Sequence, residues 1–139
     1  MDPARTHWLG SLQTEAYHKV LACSDVHLYL TVPFVLSWSL LEAMAAGCCI
    51  VASDTPPVRE VLTDGETAVL VDFFSSEQQA NAIEVLLESA DRRQALAGAA
   101  RQASGDYDCK EGLRSWIDIM SVNSDQTAQR PGTDGVDGV

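Results

Sequence analysis

The chain has 139 residues, a length at which one domain can bury a core without disulfides or metals. Its formal net charge of -11 argues against nucleic acids and anionic membranes as partners. No apolar run approaches the roughly 20 residues of a bilayer span, and the first residues lack a signal-peptide pattern. We therefore expect a cytoplasmic protein with no transmembrane segment.

The cysteine pattern argues against a metal site. The spacing of the four cysteines fits no zinc motif, and two of them are adjacent on a predicted strand. Reduced, buried thiols are the expected state of all four residues: Cys23, Cys48, Cys49 and Cys109.

The first third of the chain predicts a strand, a helix and a second strand. Thr6–Leu9, closed by Gly10, is typical of a short strand and turn. The apolar periodicity after Ser11, a capping residue, predicts an amphipathic helix to about Ser24. The nearly continuous apolar run Val26–Thr31 predicts a strand that is covered on both faces.

Proline and glycine punctuate the middle of the chain. Pro33 ends the preceding strand, and strong helix formers follow from about Ser37 to a C-cap at Gly47. The run 48–53 predicts another buried strand. Asp54 and Thr55, followed by two prolines, are typical of an N-cap with proline in the first helical turn, and residues 58–62 complete this short predicted helix.

The remaining sequence predicts a strand, three helices and a tail. Gly65 lies in a turn before the strand 67–71. The helices are expected at 75–89, from the cap Asp91 to about 103, and at about 110–120. Residues 121–139 lack periodicity and are rich in Gly, Asp and Ser, which predicts disorder. The expected organisation is one partial domain, 1–120, and a disordered tail.

Strands that alternate with helices predict an α/β fold. Strands apolar on both faces favour a Rossmann-like parallel sheet of about four strands with helices on both sides. In such sheets ligands bind outside the carboxyl ends of the strands. This edge is expected to be built from residues 31–39, 53–57 and 72–75.

One helix start at this edge is a candidate ligand site. The amides of Ser37, Trp38 and Ser39 lie at a predicted helix N-terminus, which favours an anion such as a diphosphate. Glu42 lies one turn further in, within reach of ribose or sugar hydroxyls. The alternative is that Glu42 is a solvated helix residue. The sequence contains no glycine-rich phosphate loop, metal-spaced His/Glu set or nucleophile elbow.

The run SLLEAMAAGCCIVASDTPPVREVLTDGETAVLVD resembles the donor-binding part of the retaining family 4 glycosyltransferases, the glycosyl transferases group 1, which have the GT-B fold. The resemblance extends from about Thr6 to Met120. It implies transfer of a hexosyl group from a nucleotide-sugar with retention of configuration. The nucleotide-sugar is then a substrate, and the resemblance implies neither a metal nor another cofactor.

Individual residues take roles from this resemblance. Glu42 matches the second glutamate of the family's E-x7-E motif, which implies a contact with the nucleotide ribose. Ser37–Ser39 match the helix start that holds the diphosphate. The first glutamate, which contacts the donor sugar, falls at Phe34, so this subgroup either holds the sugar differently or holds none. The donor-sugar side is expected at Pro33, Phe34 and Thr55.

Family members carry further elements upstream of the part matched here. These are an acceptor domain, two strands of the donor domain, and a basic pair facing the diphosphate. The resemblance therefore implies a piece truncated at its N-terminus, with a gap in its sheet, an exposed strand edge and no activity of its own. The alternative is a non-catalytic nucleotide-binding remnant, or a module that completes a partner chain carrying the missing strands and acceptor domain.

Overall fold

The structure is a computed structural model that describes residues 2–31 and 36–127. It divides into two compact units, Met1–Gly105 and Asp106–Val139. After a 3-10 turn at Pro3–Arg5, the first unit contains α1 (Thr14–Ala22), β1 (His27–Tyr29), α2 (Trp38–Ala46), β2 (Ile50–Ser53), α3 (Pro56–Arg59), β3 (Val69–Val71), α4 (Ser76–Glu88) and α5 (Ala90–Ala103). The second unit contains α6 (Cys109–Thr127), and a 3-10 helix at Ser104–Tyr107 spans the boundary.

The first unit is built on a parallel sheet with the strand order β1-β2-β3. Leu28 pairs with Val51, and Val51 pairs with Val69. The predicted α/β fold, with a parallel sheet between helices, is confirmed. Each strand is shorter than its apolar run.

The core lies on both faces of this sheet. Because side chains alternate along a strand, Ile50 and Ala52 join one cluster, which includes Leu40 and Met44 of α2. Val51 faces the other way. Its cluster also contains Val71 on β3, Leu86 on α4 and Leu96 on α5. Burial of β2 on both faces explains why Ile50, Val51 and Ala52 are all apolar.

The predicted strand at Thr6–Leu9 is wrong. These residues are exposed and form no strand, and Trp8 is 96% exposed. A strand needs a neighbour for its backbone groups and a packed face, and this segment has neither within residues 2–31 and 36–127. The described sheet therefore has three strands where about four were expected.

The helix ends were predicted unevenly. Gly47 ends α2 with a φ of 79°, and Ser75 caps α4, both as expected. The expected cap at Ser11 is wrong, since α1 begins at Thr14. The expected cap at Asp91 is also wrong, because Ser89 caps α5 and accepts a hydrogen bond from the Arg92 amide at 3.4 Å.

Two further boundaries differ from the prediction. The short helix α3 begins with Pro56 and Pro57 in its first turn, as expected, but it ends at Arg59 rather than at Leu62. The turn that follows is as expected, with Gly65 at a φ of 75°.

The second unit begins with Asp106, and its helix α6 continues to Thr127. Residues 121–127, which were expected to belong to the tail, continue this helix. The apolar residues of α6 recur at helical spacing along one side, as expected: Leu113, Trp116, Ile117 and Met120. Residues 128–139 lie outside the described part of the chain.

All four cysteines are free, in agreement with the prediction of reduced thiols. Their expected burial holds for Cys48 and Cys49 but not for Cys23 and Cys109, which are exposed. The Cys48 thiol donates to the Leu21 carbonyl at 3.3 Å. Among the helices of residues 2–31 and 36–127, none is long and apolar enough to cross a membrane.

Candidate functional site

The carboxyl ends of the three strands are tied together by hydrogen bonds. The Ser53 hydroxyl, at the end of β2, accepts from the Thr31 amide at 3.1 Å and donates to the Thr31 carbonyl at 3.1 Å. The next amide, that of Asp54, donates to the Val71 carbonyl at 2.8 Å. These bonds fix the edge at which parallel sheets bind ligands.

The start of α2 is anchored to β1 by a residue that sequence reasoning missed. Tyr29 is 7% exposed, and its hydroxyl accepts a hydrogen bond from the Ser37 amide at 3.0 Å. The only available sequence signal was a tyrosine in an apolar strand, since buried tyrosines usually find a hydrogen-bond partner. Tyr29 sets the position from which α2 enters the site.

Ser37 is the N-cap of α2, at the position where a helix start was expected. Its hydroxyl accepts hydrogen bonds from the Ser39 amide at 3.3 Å and the Ser39 hydroxyl at 2.9 Å. Two of the three amides predicted to hold a diphosphate therefore already have acceptors. The Trp38 amide, at the first helical position, has no acceptor in the part of the chain that the structure describes.

Glu42 lies on the exposed side of α2, one turn after Trp38. It faces Tyr17 of α1, a contact that the sequence did not reveal. Burial, the negative charge of Glu42 and a hydrogen bond to its carboxylate together raise the pKa of the Tyr17 hydroxyl. A carboxylate has about four lone-pair sites, so this contact leaves acceptors for other hydroxyls.

Thr55 is the N-cap of α3 and is 7% exposed. Its hydroxyl oxygen is buried and has no hydrogen-bond partner among the described residues. The two other residues assigned to the donor-sugar side, Pro33 and Phe34, lie outside the described residues.

An ion pair flanks Thr55. Arg59 of α3 binds Asp54 through two nitrogens, with Nη2 at 2.8 Å from Oδ2 and Nε bonded to Oδ1. The hydrogen bond from Arg59 lowers the pKa of the Asp54 carboxyl. Both side chains are partly exposed to solvent, so this pair contributes little to stability.

The loop after β3 is held by its own hydrogen bonds. Asp72 accepts from the Phe74 amide at 2.8 Å. The Gln79 side chain donates to the carbonyls of Asp72 at 3.2 Å and Phe73 at 2.9 Å. This part of the expected edge is therefore ordered by internal contacts.

Two cavities lie away from the carboxyl edge. One, of about 210 Å³, is lined by residues that precede the strands and by α5, including Asp25, Cys49 and Arg93. The other, of about 190 Å³, lies between β3, α4 and α5. Within residues 2–31 and 36–127, no group of three or more His, Cys, Asp or Glu residues is arranged to hold a metal ion.

A parallel sheet between helices, with a capped helix start at its carboxyl edge, defines a Rossmann-like architecture. The family described as glycosyl transferases group 1 matches residues 3–103. The chain therefore belongs to the glycosyl transferases group 1 family.

One characterised relative is the phosphatidyl-myo-inositol mannosyltransferase of Mycobacterium leprae (strain TN). It is 42% identical over 69 residues, which are 50% of this chain and 18% of that protein. The chain thus spans only a small part of its relative's length.

Solved glycosyltransferase structures share the fold. Sucrose-phosphate synthase from Thermosynechococcus elongatus superposes with a TM-score of 0.77 at 19% identity, over 92% of this chain and 32% of that one. Anabaena HepE in complex with UDP-glucose superposes with a TM-score of 0.70 at 22% identity, over 75% of this chain and 29% of that one. The C-terminal domain of LpcC from Francisella tularensis superposes with a TM-score of 0.66 at 21% identity, over 73% of this chain and 53% of that one. At these identities the similarity establishes the fold alone.

Proposed function

We propose that this chain binds the nucleotide-sugar donor of a retaining glycosyltransferase at the carboxyl edge of its sheet. Glu42 accepts hydrogen bonds from the ribose hydroxyls, and the start of α2 binds the diphosphate. Membership of the family supports this proposal, and so does the nucleotide-sugar present in the complex of Anabaena HepE, a protein of the same fold.

The observation that carries the proposal is the fixed start of α2. The Tyr29 hydroxyl holds the Ser37 amide at 3.0 Å, so the first amides of α2 are preorganised at the end of β1. Glu42 follows Trp38 by four residues, or about 6 Å along the helix axis. A ribose 5′-phosphate can span this spacing, with its hydroxyls at the carboxylate and its phosphate at the helix start.

To bind at the start of α2, the diphosphate must replace a hydrogen bond that is already present within the chain. The Ser37 hydroxyl accepts from the Ser39 amide at 3.3 Å, which is the position an anionic oxygen would take. The Trp38 amide adds a second donor. Negative charge at a helix N-terminus is stabilised by about 0.3–1 kcal/mol, and hydrogen bonds to a charged acceptor are stronger than the neutral bond they replace.

In a protein that combines this site with an acceptor domain, we propose a metal-free transfer with retention of configuration. The helix dipole and amides stabilise the leaving diphosphate, so no metal is needed to neutralise it. The group that we propose is transferred is a hexosyl group. Transfer also needs an acceptor positioned beside the donor, and the chain covers 18% of its mannosyltransferase relative. We therefore propose donor binding, without transfer, for the 139-residue chain.

A second candidate is a non-catalytic module that completes a partner chain. The observation that favours it is β1, which forms an edge of the described sheet. Leu28 and Leu30, at and just after this strand, are each 39% exposed. Strands from a partner chain could pair with this edge. This module would form a stable complex with the partner and bind no nucleotide by itself.

Calorimetric titration of the 139-residue chain tests the proposed function. The titrants are UDP, GDP, UDP-glucose and GDP-mannose. We expect at least one of them to bind with a Kd below about 1 mM. Absence of binding by all four at millimolar concentrations would remove the donor site and leave the partner-chain module.

A charge-removing substitution then locates the ribose. Glu42→Gln should weaken nucleotide binding about tenfold, because hydrogen bonds to a charged group contribute about 1.5–3 kcal/mol. Glu84→Gln is the matched control, since Glu84 is an exposed residue of α4. Equal affinities for the two variants would exclude Glu42 from the site.

A further inference from the structure

The Thr55 hydroxyl is a buried polar group that the fold does not use. The residue is 7% exposed, and its oxygen has no hydrogen-bond partner in the described parts of the chain. Burying an unpaired hydroxyl costs stability. A valine would fill the same volume without that cost, so the hydroxyl needs an explanation.

Helix capping does not explain it. A threonine N-cap normally accepts a hydrogen bond from the amide of the second or third helical residue. Pro56 and Pro57 occupy the first two positions of α3 and have no N–H to donate. Only the Val58 amide remains, and the Thr55 side chain makes no capping bond. The hydroxyls of Ser37 and Ser75, by contrast, both cap their helices.

The position of Thr55 indicates what could pair with this hydroxyl. Two residues earlier, the Ser53 hydroxyl accepts a hydrogen bond from the Thr31 amide and donates one to the Thr31 carbonyl, each at 3.1 Å. The Asp54 amide donates to the Val71 carbonyl at 2.8 Å. Thr55 therefore follows the middle strand at the edge where the proposed donor binds. Thr55 is 7% exposed as a residue, and its hydroxyl oxygen is buried beneath this edge.

We infer that the Thr55 hydroxyl binds the donor, through a hydrogen bond to the diphosphate-sugar part of the nucleotide-sugar. This inference rests on the proposed function. A hydroxyl can donate to a phosphoryl oxygen and can both donate to and accept from a sugar hydroxyl. Binding supplies the partner that the fold lacks, so part of the cost of burying this group is recovered only in the complex.

Isosteric substitution tests the inference. Thr55→Val keeps the shape and removes the hydroxyl, and Thr55→Ser keeps the hydroxyl. Calorimetry with a nucleotide-sugar should show a five- to tenfold weaker Kd for Thr55→Val, a change of about 1–1.4 kcal/mol, and a Kd within about twofold of the wild type for Thr55→Ser. Binding of a nucleoside monophosphate should be the same for all three proteins. If Thr55→Val also binds the nucleoside diphosphate more weakly, the hydroxyl contacts phosphate. If Thr55→Val binds only the nucleotide-sugar more weakly, the hydroxyl contacts the sugar.

Thermal unfolding without ligand separates the alternatives. Thr55→Val should unfold at the wild-type temperature or above it, because an unpaired buried hydroxyl is removed. A lower unfolding temperature or failure to fold would mean that the hydroxyl has a partner in the fold, and would overturn the inference. Unchanged affinity for the nucleotide-sugar would also overturn it, in favour of an ordered water. Absence of binding by the wild type would refute the proposed function itself.

Discussion

Ser53 offers the sharpest test of how the carboxyl edge is held. This side chain is fully buried, and its hydroxyl both accepts from the Thr31 amide and donates to the Thr31 carbonyl, each at 3.1 Å. The two bonds join the ends of β1 and β2 where strand pairing stops. Ser53→Ala removes both of them without adding volume.

The expected loss follows from those two bonds. Each intramolecular hydrogen bond contributes about 0.5–1.5 kcal/mol, so Ser53→Ala should lower the free energy of unfolding by about 1–3 kcal/mol. For a domain of about 100 residues, each kcal/mol shifts Tm by about 4–8 °C. A loss of about 2 kcal/mol would therefore lower Tm by roughly 8–16 °C.

Urea denaturation followed by circular dichroism gives the free energy of unfolding by linear extrapolation. Ser104→Ala is the matched control, because its hydroxyl makes one exposed hydrogen bond to the Arg101 carbonyl at 2.8 Å. We expect the control to remain within about 0.5 kcal/mol of the wild type. If Ser53→Ala were as stable as Ser104→Ala, the bridge to Thr31 would not hold this edge together.

Three further predictions concern the scaffold around the site. Gly47→Ala should destabilise the chain by about 1–2 kcal/mol in denaturant titration, because Gly47 has a φ of 79°; Gly98→Ala, in the interior of α5 with no atom within 4 Å of a new Cβ, should be neutral or stabilising. Arg93→Ala should lower Tm more than Arg92→Ala, since only Arg93 donates to carbonyls at the end of α4, at 2.7 and 2.8 Å; equal shifts would contradict this role. Burial raises the pKa of the Cys48 and Cys49 thiols, whereas Cys23 and Cys109 are exposed. After brief iodoacetamide treatment at neutral pH, mass spectrometry should therefore find the two exposed cysteines alkylated and the two buried cysteines unmodified.

The same two buried thiols predict a pH dependence of stability. Their pKa values are higher in the folded chain than the ordinary thiol value, because burial disfavours the thiolate. The stability that this shift contributes is fully present at pH values below the unfolded thiol pKa and is lost as the pH rises through the folded values. The free energy of unfolding should therefore fall above about pH 8.5, and less so in Cys48→Ala.

The fold was predictable where local signals and burial agree. The apolar runs became the three parallel strands, with β2 buried on both faces, and Gly47 marks a real C-cap with a positive φ. Prediction failed where partners outside the segment decide the structure. Thr6–Leu9 has strand-like residues but no neighbouring strand in the described sheet, so it forms no strand there.

The candidate site shows the same division. Ser37 was predictable as a cap because its hydroxyl acts within its own helix. The contacts of Tyr29 with Ser37 and of Tyr17 with Glu42 join residues from different elements, so neither periodicity nor capping rules could reveal them. The double proline after Thr55 was visible in the sequence, but its consequence depends on burial, which only the folded chain gives.

Binding of the nucleotide at the start of α2 is the central claim, and NMR tests it most directly. In a titration of the ¹⁵N-labelled 139-residue chain with a nucleoside diphosphate, the largest amide shift changes should occur at Trp38, Ser39 and Glu42. The amide chemical shift of Gly98 on α5 should not change. Shifts concentrated around the Arg93 cavity, or none at millimolar ligand, would contradict the account.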